Sequence, residues 1–205
     1  MKLYDSRLAP NPRRVRWFMA EKVIDDVEIV DVDLFGGRHK SPEYLEEVGI
    51  ANVPALVLDD GDVITESVAI CRYLESLYPE PNLFGHDPRE TAHIEMWTRR
   101  AELLCAMPLM LAVRHGHPAL AALETQKPEI SESNLASAQR ALTFFEKRLA
   151  RTTWLAGDRI TIADGVLYIG VEFARMVKFR LTDETPSLLR WQAALRERES
   201  ASAGT

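Results

Sequence analysis

Cysteine is scarce in this chain: its 205 residues include two, Cys71 and Cys105, with no partner at metal-ligand or redox-motif spacing. A disulfide framework and a cysteine-bound zinc are thereby excluded, and two buried free thiols in a reducing cytoplasm are expected. Long apolar runs are missing too, so no segment approaches the roughly 20 residues of a bilayer-spanning helix. The opening stretch MKLYDSRLAPNPRRVRWFMAEK lacks the apolar core of a secretory signal. Positive charge is in deficit: 25 Lys and Arg against 31 Asp and Glu give a net charge of −6. That balance argues against a nucleic-acid partner, which needs a basic footprint. The sequence shows no internal repeat and no low-complexity tract. What it does have is apolar residues, 46% of the total, enough for one large core or two modest ones.

The two parts of the chain differ in texture. Up to Tyr78, short apolar runs alternate with helical periodicity. Residues 1–4 (MKLY) read as a strand. Residues 12–23 read as a helix, with Asn11 as N-cap and Pro12 at the first helical position, where a missing N–H costs nothing. Residues 27–32 (VEIVDV) alternate like a half-buried strand, and Ser41-Pro42 opens a second helix towards Val48. Residues 55–58 and 63–64 read as strands joined by the turn DDGD, in which Gly61 takes positive φ. A third helix covers residues 67–78. The order is β-α-β-α-β-β-α. Its helical crossover predicts that the first two strands pair parallel and that the hairpin adds an antiparallel edge.

The stretch PEPNLFGHDP, with Pro79, Pro81 and Pro88, reads as a linker. Beyond it the pattern is helical. One long helix runs from Arg89 to about His115, bent at Pro108, followed by helices over residues 131–149, 166–177 and 187–197. The tail ESASAGT is expected to fray. The division is an α/β domain over 1–79, a linker over 80–88 and an all-α domain over 89–205.

Three local features sharpen this outline. Asn52-Val53-Pro54-Ala55 places a proline just before a buried strand. Thr65-Glu66-Ser67-Val68-Ala69-Ile70 places Glu66 and Ser67 at a helix start, where free N–H donors and a partial positive charge favour a carboxylate. Thr161-Ile162-Ala163-Asp164, after Trp154-Leu155-Ala156-Gly157-Asp158, has the form of an N-capping box with Asp164 reaching back to Thr161. In register over nearly the whole chain, these features resemble a cytosolic glutathione transferase of the bacterial theta- or nu-like kind. The resemblance implies a thioredoxin-like N-terminal domain followed by a helical one, with glutathione as co-substrate. It also implies a cis Val53–Pro54 bond that presents the backbone of Val53 to the bound tripeptide.

On that resemblance Glu66 holds the γ-glutamyl ammonium, and Ser67, through its hydroxyl and N–H, holds the adjacent carboxylate. Both also stand where helix-capping residues belong. Val53, set by Pro54, makes two backbone hydrogen bonds to the cysteinyl unit. His39 and Lys40, in the loop Gly37-Arg38-His39-Lys40-Ser41-Pro42-Glu43-Tyr44, are the candidates for the glycyl carboxylate. Asn52 stands where the family usually has lysine. It can hydrogen-bond a carboxylate without neutralising it, which shifts weight to Lys40.

The thiol is the chemical centre. Its free pKa of about 8.5 leaves it mostly protonated at neutral pH, and each unit of lowering corresponds to about 1.4 kcal/mol of preference for the thiolate. In the loop from Ser6 to Val15, Ala9 matches the serine or threonine of many bacterial members and has no hydroxyl. Asn11 matches the asparagine of the nu-like group, so its amide is the first candidate donor to the sulfur, its carbonyl capping the helix; Ser6 is the second. Tyr4 reads as core, and the loop offers no cysteine for chemistry on a protein thiol.

The second substrate, a small hydrophobic electrophile, is expected between the domains. Met107, Met110, Arg114, His115 and His117 would form one wall, with Phe173 and Met176 opposite. Apolar residues at this spacing also read as core. His115 and His117, flanking Gly116, are expected at an exposed helix end without a metal site. Three functions stay open: conjugation to an electrophilic carbon, nu-like reduction of a disulfide or peroxide, and a binding protein that has lost catalysis. Ala9 favours the last; Glu66 and Ser67 oppose it. A homodimer through helices beginning near Glu66 and Arg89, and a role in detoxification, are further implications of the resemblance.

Overall fold

In the computed structural model, which describes residues 1–203, the strand β1 (Lys2–Asp5) is an inner strand of a four-stranded sheet. It pairs parallel with β2 (Glu28–Asp31), with Leu3 opposite Ile29, as the crossover requires. On its other side it pairs antiparallel with β3 (Ala55–Val57), Leu3 opposite Leu56, and β4 (Val63–Thr65) completes the order β2-β1-β3-β4. The pleat sorts the side chains. Tyr4 and Ala55 share one face and pack with Val32 and with Tyr44 and Val48 of α2 (Pro42–Val48). Leu3 and Leu56 alternate to the opposite face and are fully buried. The helices α1 (Pro10–Glu21) and α3 (Ser67–Leu77) pack on each other through an interior that includes Val15, Phe18, Ile70 and Leu74.

Helix α1 starts earlier than the sequence suggests. Its N-cap is Ala9, Pro10 is the first helical residue and Asn11 lies inside the first turn. The N–H groups of a first turn have no intrahelical acceptor, so Pro10 and Pro12 both fit there and the proline does not mark the boundary. The other end closes with a Schellman pattern: Ile24 N–H donates to Met19 O at 2.9 Å and Val23 N–H to Ala20 O at 3.3 Å. The left-handed position of that motif is held by Val23, at φ 55 and 84% exposed, a β-branched residue where glycine is usual.

Two compact units divide the chain, one built on Met1–Pro81 and one of Asn82–Ala201. The second is helical. Its helices are α4 (Pro88–Ala101), α5 (Met107–Gly116), α6 (Pro128–Leu149), α7 (Ile162–Phe173) and α8 (Pro186–Arg196). The distortion expected at Pro108 lies just before it, as a π turn over Glu102–Ala106. Proline has no N–H to give the preceding turn, and widening that turn keeps the helix continuous. The π turn packs on α7 at Gly170, where a Cβ would come 2.7 Å from Ala106 Cα.

The stretch read as a linker is partly core. Leu83 and Phe84 are buried, and Arg159 reaches from the 150s loop to Asn82 and Glu90. Helix α7 begins four residues before the expected start because its cap is Thr161. Asp164 Oδ2 accepts the Thr161 N–H at 3.0 Å, while Oδ1 accepts the Leu155 N–H and the Trp191 Nε1–H, each at 2.9 Å. The tail is also more ordered than expected: residues Glu199–Ser202 form a 3-10 turn with Ser200 buried, and 204–205 lie outside the described residues.

Two stability changes follow. Val23→Gly removes a Cβ from a left-handed position at an exposed site and is expected to stabilise by about 1 kcal/mol in denaturant titration. Asp164→Ala strands several buried donors and is expected to cost about 3 kcal/mol, so a loss below ~1 kcal/mol would show that the box is not a structural hub.

Candidate functional site

The loop after β1 is short and is held from below by α1. Ser6 is buried and turns the chain, its carbonyl accepting the Ala9 N–H at 2.9 Å. Arg16, buried on α1, pairs with the buried Asp5 carboxylate and donates Nη2 to the Arg7 carbonyl at 2.9 Å. Burial pushes the Asp5 carboxyl up, against the pull of that guanidinium. Beyond the loop, Asn11 does not cap α1: the helix has no side-chain cap, and Asn11 Oδ1 is shielded from solvent with no hydrogen-bond partner. The division of labour expected of its amide is therefore corrected. The Oδ1 expected to cap is left without a partner at the start of the helix. Tyr4 lies in the core, as its place within the strand suggests, and its hydroxyl donates to Glu47.

The start of α3 brings Glu66, Ser67 and a residue that sequence reasoning missed. Glu66 occupies the cap position through its backbone, with Ile70 N–H donating to Glu66 O at 2.9 Å. Its side chain makes no capping bond and is exposed, so the capping role expected of it is carried by the main chain alone. Its backbone sits at φ 65, ψ 114, a region L-residues avoid. Such strain persists where the surroundings impose it, typically at functional sites. Ser67 is the first residue of the helix and buried, and Arg14 Nη1 donates to its Oγ at 3.1 Å. Arg14 itself is 2% exposed. It lies four residues before Phe18 on the apolar stripe of α1, and a charge in that stripe is the signal that marks it. Burial pushes the Cys71 thiol up, against the opposing pull of the same guanidinium. Positive charge thus lies beneath a helix N-terminus that already favours anions.

The Val53–Pro54 bond is cis. Val53 is half-buried and packs against the Tyr4 and Tyr44 cluster, Pro54 is buried, and the Asn52 side chain is exposed. His39 and Lys40 are split by a 3-10 turn over Arg38–Lys40: His39 is buried and Lys40 exposed. Of the two candidates for the glycyl carboxylate, Lys40 is therefore the exposed one. A cleft of about 430 Å³ on the α2 side is lined by Tyr4, Arg38, Ser41, Glu43, Tyr44 and Glu47. None of the residues expected to bind the tripeptide lines it.

In the helical unit, Met107, Arg114 and Met176 are exposed, and Met110 and Phe173 half-buried. Arg114 pairs with Glu124 at 3.0 Å. His115, expected to be exposed, is buried; its Nδ1 accepts the Lys127 N–H at 3.3 Å, and Gln126 Nε2 donates to the carbonyls of Arg114 and His117. The loop after α5 folds back over the helix end and covers the ring. His117 Nδ1 accepts the Ala119 N–H at 3.3 Å. Both cysteines are buried and free, and burial pushes the Cys105 thiol up to about 12. Among the described residues, no group of His, Cys, Asp or Glu is placed to hold a metal, and no helix is long and apolar enough to cross a membrane.

Comparison with known proteins adds an independent line. The family model for the glutathione S-transferase N-terminal domain matches residues 3–82, and that for the C-terminal domain matches residues 102–199. Glutathione S-transferase 2 of Saccharomyces cerevisiae is 34% identical over 204 residues, covering 98% of this chain and 87% of the relative. The crystal structure of Gtt2 from Saccharomyces cerevisiae superposes with a TM-score of 0.92 at 33% identity, covering 100% of both chains. A glutathione S-transferase domain-containing protein from Marinobacter aquaeolei VT8 gives a TM-score of 0.91 at 35% identity, over 98% of this chain and 100% of that one.

The backbone of Glu66 generates a direct test. Glu66→Gly carries no Cβ into the disfavoured region and is expected to raise stability by about 1 kcal/mol. A lower melting temperature in that variant would show that the side chain supports the fold and is not held in strain for another purpose.

Proposed function

The chain belongs to the glutathione S-transferase family, and on that footing we propose that it activates the thiol of glutathione for attack on the carbon of a hydrophobic electrophile. In this reading the thiol proton passes to solvent and the sulfur lone pair forms the new S–C bond. The leaving group departs with the electrons of the bond it breaks. The observation that carries the reading is the start of α3. There a strained and exposed Glu66 stands beside Ser67, whose hydroxyl is held by a buried Arg14. A carboxylate for an ammonium, next to amides and a hydroxyl for a carboxylate, is what an α-amino acid head group requires. Val53 would read the extended middle of the tripeptide through its main chain, and Lys40, with His39 and Asn52, the glycyl end.

Asn11 is the group we assign to the sulfur. Its amide lies in the first turn of α1 without capping the helix; the NH₂ is the donor to the sulfur, and the helix N-terminus adds a field that favours a thiolate. Ser6 is less suited, since it is buried in the turn it forms. Reduction of a disulfide or peroxide remains the second reading. The same amide, in a loop without hydroxyl at Ala9, would serve a thiolate that attacks sulfur or oxygen equally well. The reading also includes a homodimer, and walls for the second substrate drawn from Met107, Met110, Arg114 and Phe173.

Calorimetry with glutathione, followed by a panel of an aryl halide, a disulfide and a peroxide, tests this. Wild-type protein is expected to bind glutathione and to turn over the aryl halide fastest. Asn11→Ala is expected to raise the pKa of the bound thiol, read by thiolate absorbance, by about one unit and to lower neutral-pH turnover about tenfold. No heat of binding would leave a protein that keeps the fold without the site; fastest turnover of the disulfide or peroxide would favour the second reading.

A further inference from the structure

Tyr44 is buried at 4% exposure, and its place is fixed from two directions. The Ser41 hydroxyl caps α2 by accepting the Tyr44 N–H at 3.2 Å, and the ring stands edge-on to Tyr4 with centroids 5.2 Å apart. Its hydroxyl donates to the main-chain carbonyl of Asn52 at 2.5 Å. That carbonyl belongs to the trans peptide joining Asn52 to Val53, because the cis bond lies one step further on. A trans peptide is a rigid plane with C=O and N–H on opposite edges. Anchoring the Asn52 oxygen therefore sets the direction of the Val53 N–H. The Asn52 N–H is tied as well, donating to Ile50 O at 2.9 Å, so the plane is approached by a segment that has little freedom of its own.

We propose that Tyr44 is a positioning residue for glutathione: its hydroxyl, by holding the Asn52 carbonyl, aims the Val53 N–H at the tripeptide backbone. The inference rests on the proposed function, since Val53 has a ligand to meet only if glutathione binds. Tyr44 touches no substrate and takes no part in proton transfer. It acts through the orientation and polarisation of one peptide: a carbonyl that accepts a strong hydrogen bond makes the N–H across the plane a better donor. Burial pushes the Tyr44 hydroxyl up to about 12, with Tyr4 and Glu47 adding to the shift, so it stays a donor throughout the working pH range.

The neighbour in the same cluster supplies the control. Tyr4 packs against Tyr44 and also donates a hydroxyl hydrogen bond, but to Glu47 on α2 and not to the segment that carries Val53. Tyr44→Phe and Tyr4→Phe each remove one buried hydroxyl from the same core. Calorimetric Kd for glutathione, KM and kcat with the fastest co-substrate, and thermal unfolding are measured for both. Tyr44→Phe is expected to raise the Kd and KM for glutathione about fivefold, with kcat within about twofold of wild type. The ratio should be the same from mildly acidic to mildly basic pH, because the donor does not titrate there. Tyr4→Phe is expected to lower stability to a similar extent and leave Kd within about twofold. Equal shifts in Kd for the two variants, or an unchanged Kd in Tyr44→Phe while wild type binds, would overturn the positioning role alone. Failure of the wild-type protein to bind glutathione would overturn this proposal together with the function it rests on.

Discussion

The first turn of a helix leaves amide hydrogens without acceptors, and at one such turn, the start of α3, this protein gathers three further groups. Ser67 adds a hydroxyl, Arg14 adds a buried positive charge, and Glu66 accepts a disfavoured backbone conformation to stand beside them. None of these is an efficient way to stabilise a helix. A side-chain cap would satisfy the amides at less cost, and a glycine would remove the strain. The arrangement makes sense if part of its hydrogen bonding is completed from outside the chain.

Helix α1 is the frame on which that arrangement is hung. Three of its cations turn inward, each to a different segment. Arg14 goes to the start of α3, and Arg16 to Asp5 and the loop after β1. Lys22, at the helix end, donates to the Tyr78 and Pro81 carbonyls and pairs with Glu75. Replacing such buried pairs with apolar groups is often neutral for stability, whereas removing one partner is costly. Their value here is directional: each fixes where one loop or helix end must lie relative to α1. The Tyr44 hydroxyl does for the segment before Pro54 what these cations do for the others.

Much of this is legible in the sequence. The β-α-β-α-β-β-α order, the parallel and antiparallel pairings, and the capping box at Thr161 and Asp164 follow from periodicity and turn chemistry that act over a few residues. Glu66 and Ser67 stand at a helix start as the local pattern indicates. What escaped the sequence depends on contacts between distant residues. Arg14 meets Ser67 across 53 positions, and His115 is covered by a loop whose docking through Gln126 no local rule announces. Asn11 was misplaced for a subtler reason: two prolines are both compatible with a first turn, so the helix boundary was underdetermined by one to two residues. Pro108 points to a distortion, and the π turn lies just before it because the adjustment to a proline is made in the turn that precedes it.

The contact between the π turn and α7 bears on how the helical unit can evolve. Ala106 and Gly170 approach so closely that a single methyl at position 170 would land on the opposing main chain. Flexible ends can swing aside; backbone cannot. Ala106 is already nearly the smallest residue, and even glycine there would leave its Cα in the way. Divergence at this seam is therefore closed to substitution and open only to changes in helix length or spacing. An insertion or deletion in the distorted turn, which moves 106 off the line of 170, would release a constraint that no exchange of side chains can relieve.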